Sequence, residues 1–244
     1  KNSSNIGRVS NYLNVVNIAN GDFIWMIGDD DLLLSNAIFE LDKLISSNKD
    51  VEFFYINSYF LDSDYLSSFS KPFNTKYLPN NMSLFSSWTR DGRMKFIDLI
   101  NPKISFDFLG GMFLSVFKKE GWLNNANVLN NEAVNDLREF SHYDNTFPHV
   151  KIFANAFSKS NAYFYSDPLT VNLSGIREWS SLSPLVNSVR IIESLKEFRL
   201  NGLSYFKYFL YKNSALNNFL PDLLKILIYK GNTGIEYINP VKLI

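Results

Sequence analysis

Apolar and polar positions along the chain change rhythm several times. In NIGRVSNYLNVVNIANGD, Tyr12, Val15, Val16 and Ala19 recur at helical spacing, and Gly21 stands where that helix would stop. The next run, FIWMI over 23–27, is short, rich in aromatic and β-branched residues and bounded by Gly21 and Gly28, which predicts a strand covered on both faces. Beyond it, Ser35 is placed to cap a helix whose Ile38, Leu41, Leu44 and Ile45 form one apolar stripe, and VEFFYINSYF over 51–60 predicts another strand. Helix and strand in this alternation suggest a βαβ crossover. They argue for an α/β domain with a mainly parallel sheet flanked by helices, in which ligands sit at the carboxyl ends of the strands.

From 61 to 92 the pattern dissolves into Ser, Asn, Asp, Pro and scattered aromatics, which reads as a long surface excursion. Order resumes with RMKFIDLI, read as helical, then with apolar stretches around Gly110 and Gly111, and then with a helix over 146–157. NAYFYSDPLTVNLS looks extended, with Pro168 favouring an edge or a break. Past Pro184 the reading is helical to the end, which divides the chain into a domain over 1–183 and a helical extension over 184–244. Between 201 and 230 four lysines stand against one aspartate, a net +3, interleaved with tyrosines, phenylalanines and leucines. Such a tail can pack on the main domain as an amphipathic appendage, or it can rest on an anionic membrane surface.

Composition narrows the picture modestly. Of 244 residues, 46% are hydrophobic, ample for a sizeable core, and the 24 basic residues equal the 24 acidic ones, so overall charge points to no nucleic acid or strongly acidic partner. There is no cysteine, which removes disulfides and thiolate metal sites and fits a reducing compartment. No apolar run has the roughly 18 residues of a membrane span, and the opening KNSSN is unlike a signal peptide. The expected location is cytoplasmic, with peripheral contact on the inner face of the cell membrane through the C-terminal helices. The first segment already reads as the inside of a domain, so an amino-terminal piece is expected to be missing.

The sharpest chemical signal is GDFIWMIGDDDLLL, where Asp29, Asp30 and Asp31 directly follow the apolar run. Two carboxylates about 5 Å apart repel by roughly 3 kcal/mol at an effective dielectric near 20, so three together call for solvent, donors or a cation. Oxygen ligands suit Mg²⁺ or Mn²⁺, which bind through one or two carboxylates plus substrate phosphates. A solvated turn whose aspartates favour the following helix is the plainer alternative.

This segment resembles the metal-binding segment of family 2 of the inverting glycosyltransferases, which have the GT-A fold and a DxD-like motif at the end of a buried strand. The family's usual first aspartate is replaced by Gly28. The resemblance implies Asp30 as metal ligand supported by Asp31, with Asp29 near the ribose. NIGRVSNYLNVVNIANGD is similar to the helix before that motif, making Arg8 and Asn11 candidates at the nucleotide. FLGGMFLSVFKKEGW is similar to the acceptor-side segment, where Gly110 and Gly111 would let backbone approach the sugar, unless they serve only a tight turn.

The family's catalytic base, often in a Glu-Asp pair at the start of a later helix, falls on Asp144 in EFSHYDNTFPHVKIFANAF, preceded here by Tyr143 rather than glutamate; Glu139 and Asp136 are fallbacks. His142 and His149 flank it and would ligate a metal, hold an acceptor sugar or hydrogen-bond locally at a helix start. In SGIREWSS, Arg177 would neutralise a diphosphate and Trp179 stack on a sugar, or both are plain loop residues.

The resemblance covers about 5–183 and implies a metal-dependent inverting glycosyltransferase of the O-antigen or capsule type, loosely abequosyltransferase-like. It would move a sugar from a nucleotide-sugar to a hydroxyl of a glycan or lipid-linked saccharide, with Mn²⁺ or Mg²⁺. A non-catalytic nucleotide-sugar-binding or scaffolding domain is the competing class. A phosphoryl- or nucleotidyltransferase is a third, without a Gly-rich phosphate loop to support it.

Overall fold

The computed structural model describes residues 4–70, 73–175, 179–229 and 231–238. In chain order these form α1 (Arg8–Ile18), β1 (Phe23–Trp25), β2 (Leu32–Leu33), α2 (Ala37–Ser47), β3 (Phe53–Asp62), α3 (Ser63–Ser67), β4 (Ser83–Leu84), β5 (Gly92–Lys95) and β6 (Ser115–Lys118). There follow α4 (Lys119–Asn125), α5 (Asn131–Asn135), α6 (Tyr143–Thr146), α7 (Pro148–Phe157), β7 (Asn161–Ser174), α8 (Ser183–Leu185), α9 (Ile191–Leu200), α10 (Tyr205–Ala215) and α11 (Phe219–Tyr229).

The strands make one seven-stranded sheet in the order β1-β6-β3-β7-β2, with β4 paired to β3 and β5 to β7. Only β3 and β7 pair in parallel; every other pairing is antiparallel, so the sheet is mixed and the expectation of a mainly parallel one is corrected. The reason is an insertion. β6 returns between β1 and β3, antiparallel to both, so these two strands run in one direction without touching. β1, β3 and β7 therefore end at the edge where β6 begins, and the segments that follow or precede them there are brought together.

β3 reads as a continuous apolar run because both of its faces are covered. Phe53 and Tyr55 point into the larger core, with Phe117, Trp122, Phe153, Phe157 and Phe164, while Phe54 and Ile56 point into a smaller one with Leu41 of α2, Val116 and Leu169. Phe53 meets Phe96 and Phe153 edge-on at 4.8 and 5.0 Å, arrangements that add to simple burial. The helices after Ser183 share the larger core through Leu185, Val189, Leu195, Phe198 and Ile226.

Several local expectations change. RMKFIDLI begins as strand β5, paired with Asn161–Phe164, before a 3₁₀ turn at Phe96–Asp98. Asn36, not Ser35, precedes α2, and its side chain makes no capping bond. The 146–157 helix is broken at Phe147, because Pro148 opens α7 and disfavours helical geometry in the residue before it. Phe85 and Ser86, inside the supposed surface excursion, are buried against β3.

Pro168 lies where β7 bulges. The register runs from Ile56 opposite Tyr165 to Ser58 opposite Thr170, leaving 166–169 out of the ladder, so the proline's missing N–H removes no ladder bond. Asn57 sits at this shift, fully buried. Its amide donates to the carbonyls of Ser86 and Ser166, each at 3.0 Å, and its oxygen accepts from the N–H groups of Ser58 and Ser86, each at 2.9 Å. Asn57→Ala leaves these buried groups unpaired and is expected to cost on the order of 3–5 kcal/mol, read by urea denaturation. A loss below about 1 kcal/mol would contradict this role.

Candidate functional site

A cleft of about 1250 Å³ opens at the shared strand edge. Asn11 of α1, the turn after β1 with Asp29, Asp30 and Asp31, and the loop before β6 with Asp107, Gly110 and Gly111 all line it. Asn172–Gly175 at the end of β7 and Trp179 line it as well, together with Val186 and Asn187 from a π-helical turn, Val186–Arg190, between α8 and α9. Sequence-distant segments meet here because β6 is inserted beside the ends of β1 and β3.

The aspartate turn is held from both sides. Asp31 Oδ1 accepts from the Asn172 amide at 2.8 Å and Oδ2 from the Gly28 N–H at 3.3 Å, and partial burial raises the Asp31 pKa despite these donors. A Cβ on Gly28 would lie 2.5 Å from Asp30 Oδ1 and 3.1 Å from Asp31 Oδ2. The two carboxylates thus converge on the space left by glycine, and an aspartate at 28 would force Asp30 to move. Among the described residues no group of three or more His, Cys, Asp or Glu side chains gathers closely enough to hold a metal ion by itself.

The second wall is a strained loop. Phe108 and Leu109 are consecutive non-glycine residues with left-handed backbone, φ 50° and 68°, and both side chains are fully buried. Such backbone persists only where surroundings over-determine it. Ser105 Oγ donates to Asp107 Oδ1 at 2.8 Å and accepts from the Leu109 N–H at 2.8 Å, and the Gly111 N–H donates to Asp107 Oδ2 at 2.7 Å. His149, from the first turn of α7, supports the loop from beneath: its Nε2 lies 3.1 and 3.0 Å from the carbonyl oxygens of Leu109 and Gly110. Two acceptors require the proton on Nε2. Burial pushes the His149 pKa from 6.5 down to about 4.

Other residues singled out in the sequence lie elsewhere. Asp144 does not line the cleft: its carboxylate is buried, with Lys151 Nζ at 2.7 and 3.0 Å and the Asn130 N–H at 2.7 Å. Arg8 lines a smaller neighbouring hollow, with its guanidinium donating to the Asn145 carbonyl and stacked 4.3 Å over Phe140; burial lowers its pKa. Asp136 and Glu139 line that hollow too. Asp136 is engaged by Arg138 and Ser141, and its hydrogen bonds with Arg138 hold its pKa well below the usual range; His142 Nε2 lies 3.4 Å from it. His149, buried under the loop, reaches the cleft only through the backbone it holds.

Trp179 packs edge-on against Phe140 at 5.5 Å, and Arg190, buried, donates to the carbonyls of Phe140 and Ser141, so this wall is anchored to the C-terminal helices. Arg177 lies outside the described residues. Asp107 is the cleft residue the sequence reading passed over; its signal is a lone carboxylate inside the otherwise apolar SFDFLGGMF.

No protein-family model matches the chain, and no curated protein matches it.

The buried neutral imidazole has a pH signature. Below 6.5 the unfolded chain takes up a proton that the folded chain accepts only near 4, so stability is expected to fall as pH drops through that window, by at most about 3 kcal/mol from this group. His149→Gln, which does not titrate, should show a shallower loss between pH 7 and pH 4.5 in urea denaturation; parallel curves would overturn the assignment.

Proposed function

We propose that the chain is a metal-dependent inverting glycosyltransferase of family 2 with a GT-A-type fold, transferring a sugar from a nucleotide-sugar to a hydroxyl of a lipid-linked surface-glycan intermediate. The observation that carries this reading is the convergence of Asp30 and Asp31 on the space at Gly28, inside a cleft at the ends of three co-directional strands. Hard carboxylate oxygens in a pair, without a closed protein cage, match a divalent ion completed by substrate phosphates. Asp30 and Asp31 would hold it, and when bound it would neutralise charge on the departing diphosphate. Asn172 and the Gly28 N–H orient Asp31 for that task. Asn11 and Trp179 line the cleft, where an amide and an indole suit donor groups, and the loop of Gly110 and Gly111 lines it from the side an acceptor sugar would take.

A lipid-linked acceptor is supported by the C-terminal helices. Tyr205, Phe206, Phe209 and Leu210 on α10, and Leu220, Leu224, Leu227 and Ile228 on α11, are exposed at one-face spacing. Of the three lysines on these helices, Lys225 pairs with the buried Asp222 and Lys207 with Asp98 at 2.7 Å, so the positive charge they add beyond those pairs is that of Lys212. Exposed apolar stripes with a net positive residue beside them suit an anionic bilayer surface. Among the described residues no helix is long and apolar enough to cross a membrane.

Two measurements test the reading. UDP, GDP, CDP and dTDP, each with and without Mn²⁺, are expected to include one that raises the melting temperature only with the ion; a ligand at a hundred times its dissociation constant stabilises by about 2.7 kcal/mol. Asp30→Asn and Gly28→Ala should each abolish most of that shift, and no shift with any nucleotide would sink the donor site. In co-sedimentation the chain should pellet with phosphatidylglycerol-containing vesicles and far less with pure phosphatidylcholine, and Phe206→Glu/Phe209→Glu should stay in solution. Equal pelleting of variant and wild type, or none by either, overturns the membrane contact.

A further inference from the structure

We propose that Asp107 is the catalytic carboxylate that takes the proton of the acceptor hydroxyl, an inference that rests on the glycosyl-transfer reading above. Inversion needs one carboxylate on the acceptor side. Among the described residues lining the cleft the acidic ones are Asp29, Asp30, Asp31 and Asp107, and Asp107 alone comes from outside the donor turn. Asp144, committed to Lys151 and the Asn130 N–H, does not line the cleft.

The loop is built around this carboxylate. Gly111 has φ −80°, which any residue adopts, so its backbone does not require glycine. What glycine provides is space: a Cβ at Gly110 or Gly111 would sit 3.4 or 3.2 Å from Asp107 Oδ2 and 3.1 or 3.0 Å from the rings of Phe147 or Phe113. Ser105 Oγ and the Gly111 N–H each donate to one carboxylate oxygen, and the backbone N–H groups of Asp107 and Leu109 also act on the carboxylate. Left-handed backbone at Phe108 and Leu109, clamped by His149, fixes where the group points. Burial raises the Asp107 pKa, which strengthens it as a base. The titratable groups packed against the loop stay uncharged in this range: Tyr55 of β3, whose hydroxyl burial pushes well up, and His149 of α7 above about pH 4.

In the step, the acceptor O–H proton passes to Asp107 as the acceptor oxygen bonds to the anomeric carbon. The bond from that carbon to the β-phosphate oxygen breaks, its electron pair leaves with the nucleoside diphosphate, and Asp107 later returns the proton to water. Water in place of the sugar hydroxyl follows the same course and gives donor hydrolysis.

The test measures nucleoside diphosphate release from UDP-, GDP-, CDP- and dTDP-sugars with Mn²⁺ across pH 5 to 9, alongside the nucleotide-induced melting shift. Asp107→Asn keeps an oxygen to accept from Gly111, so it should melt near wild type and keep its nucleotide shift, while release falls at least about 100-fold. Ser105→Ala, which removes one donor from the carboxylate, should retain release with its acid limb moved to higher pH. Wild-type release by Asp107→Asn overturns the proposal and leaves Asp107 a loop cap. Release lost in Asp144→Asn but kept in Asp107→Asn overturns it in favour of Asp144, and loss of the nucleotide shift in Asp107→Asn overturns it by moving Asp107 to the donor. Nucleotide binding without release by wild type from any donor overturns the transfer reading, and this assignment with it; absence of both overturns the donor site itself.

Discussion

One buried amide sets the geometry on which the cleft depends. Asn57 satisfies both of its donors and both of its acceptor positions at the point where the β3–β7 ladder slips. Without the slip, the second half of β7 would meet its neighbours in another register, and in a pleated sheet a one-residue change reverses the facing of every side chain beyond it. With it, Thr170 and Val171 align with Leu33 and Leu32 of β2, which sets Asn172 beside Asp31. A hydrogen-bonding problem in the interior is thereby linked to the orientation of a carboxylate at the surface.

The opposite wall is fixed in the same currency of buried polar groups. Two successive left-handed residues carry strain of order 1–3 kcal/mol each, and the loop retains them because Phe108 and Leu109 are embedded in the core while Ser105, Asp107 and His149 claim its backbone groups. His149 can serve only while neutral, because a charged imidazole in that pocket would lack both solvent and a counter-ion. The wall is therefore firm at neutral pH and sensitive to acid.

The C-terminal helices belong to the same physical unit as the sheet. Their inner residues extend the aromatic core, Arg190 fastens the segment carrying Phe140, and Phe140 in turn backs Trp179. Their outer faces keep large apolar side chains in solvent, which is costly unless something else covers them. Trp179, Val186, Asn187 and Ile191 close one side of the cleft, while α10 and α11 carry the exposed apolar faces.

Elements whose signal is local were legible in the sequence: the helical stripe before Gly21, the strand over 51–60, the break at Pro168 and the clustering of three aspartates behind an apolar strand. Those follow from spacing and from the conformational limits of proline and glycine. Tertiary structure decided the rest. Strand direction depends on which segment inserts between β1 and β3, a long-range pairing that leaves no periodic trace, and so the sheet is mixed rather than mainly parallel. Gly92–Lys95 became a strand because Asn161–Phe164 offered it an edge, overriding the local pattern. Whether a polar residue faces solvent, a partner or a cleft is also a property of packing: Asp144, the base the resemblance implied, is paired with Lys151, whereas Asp107, enclosed by phenylalanines in sequence, lines the cleft.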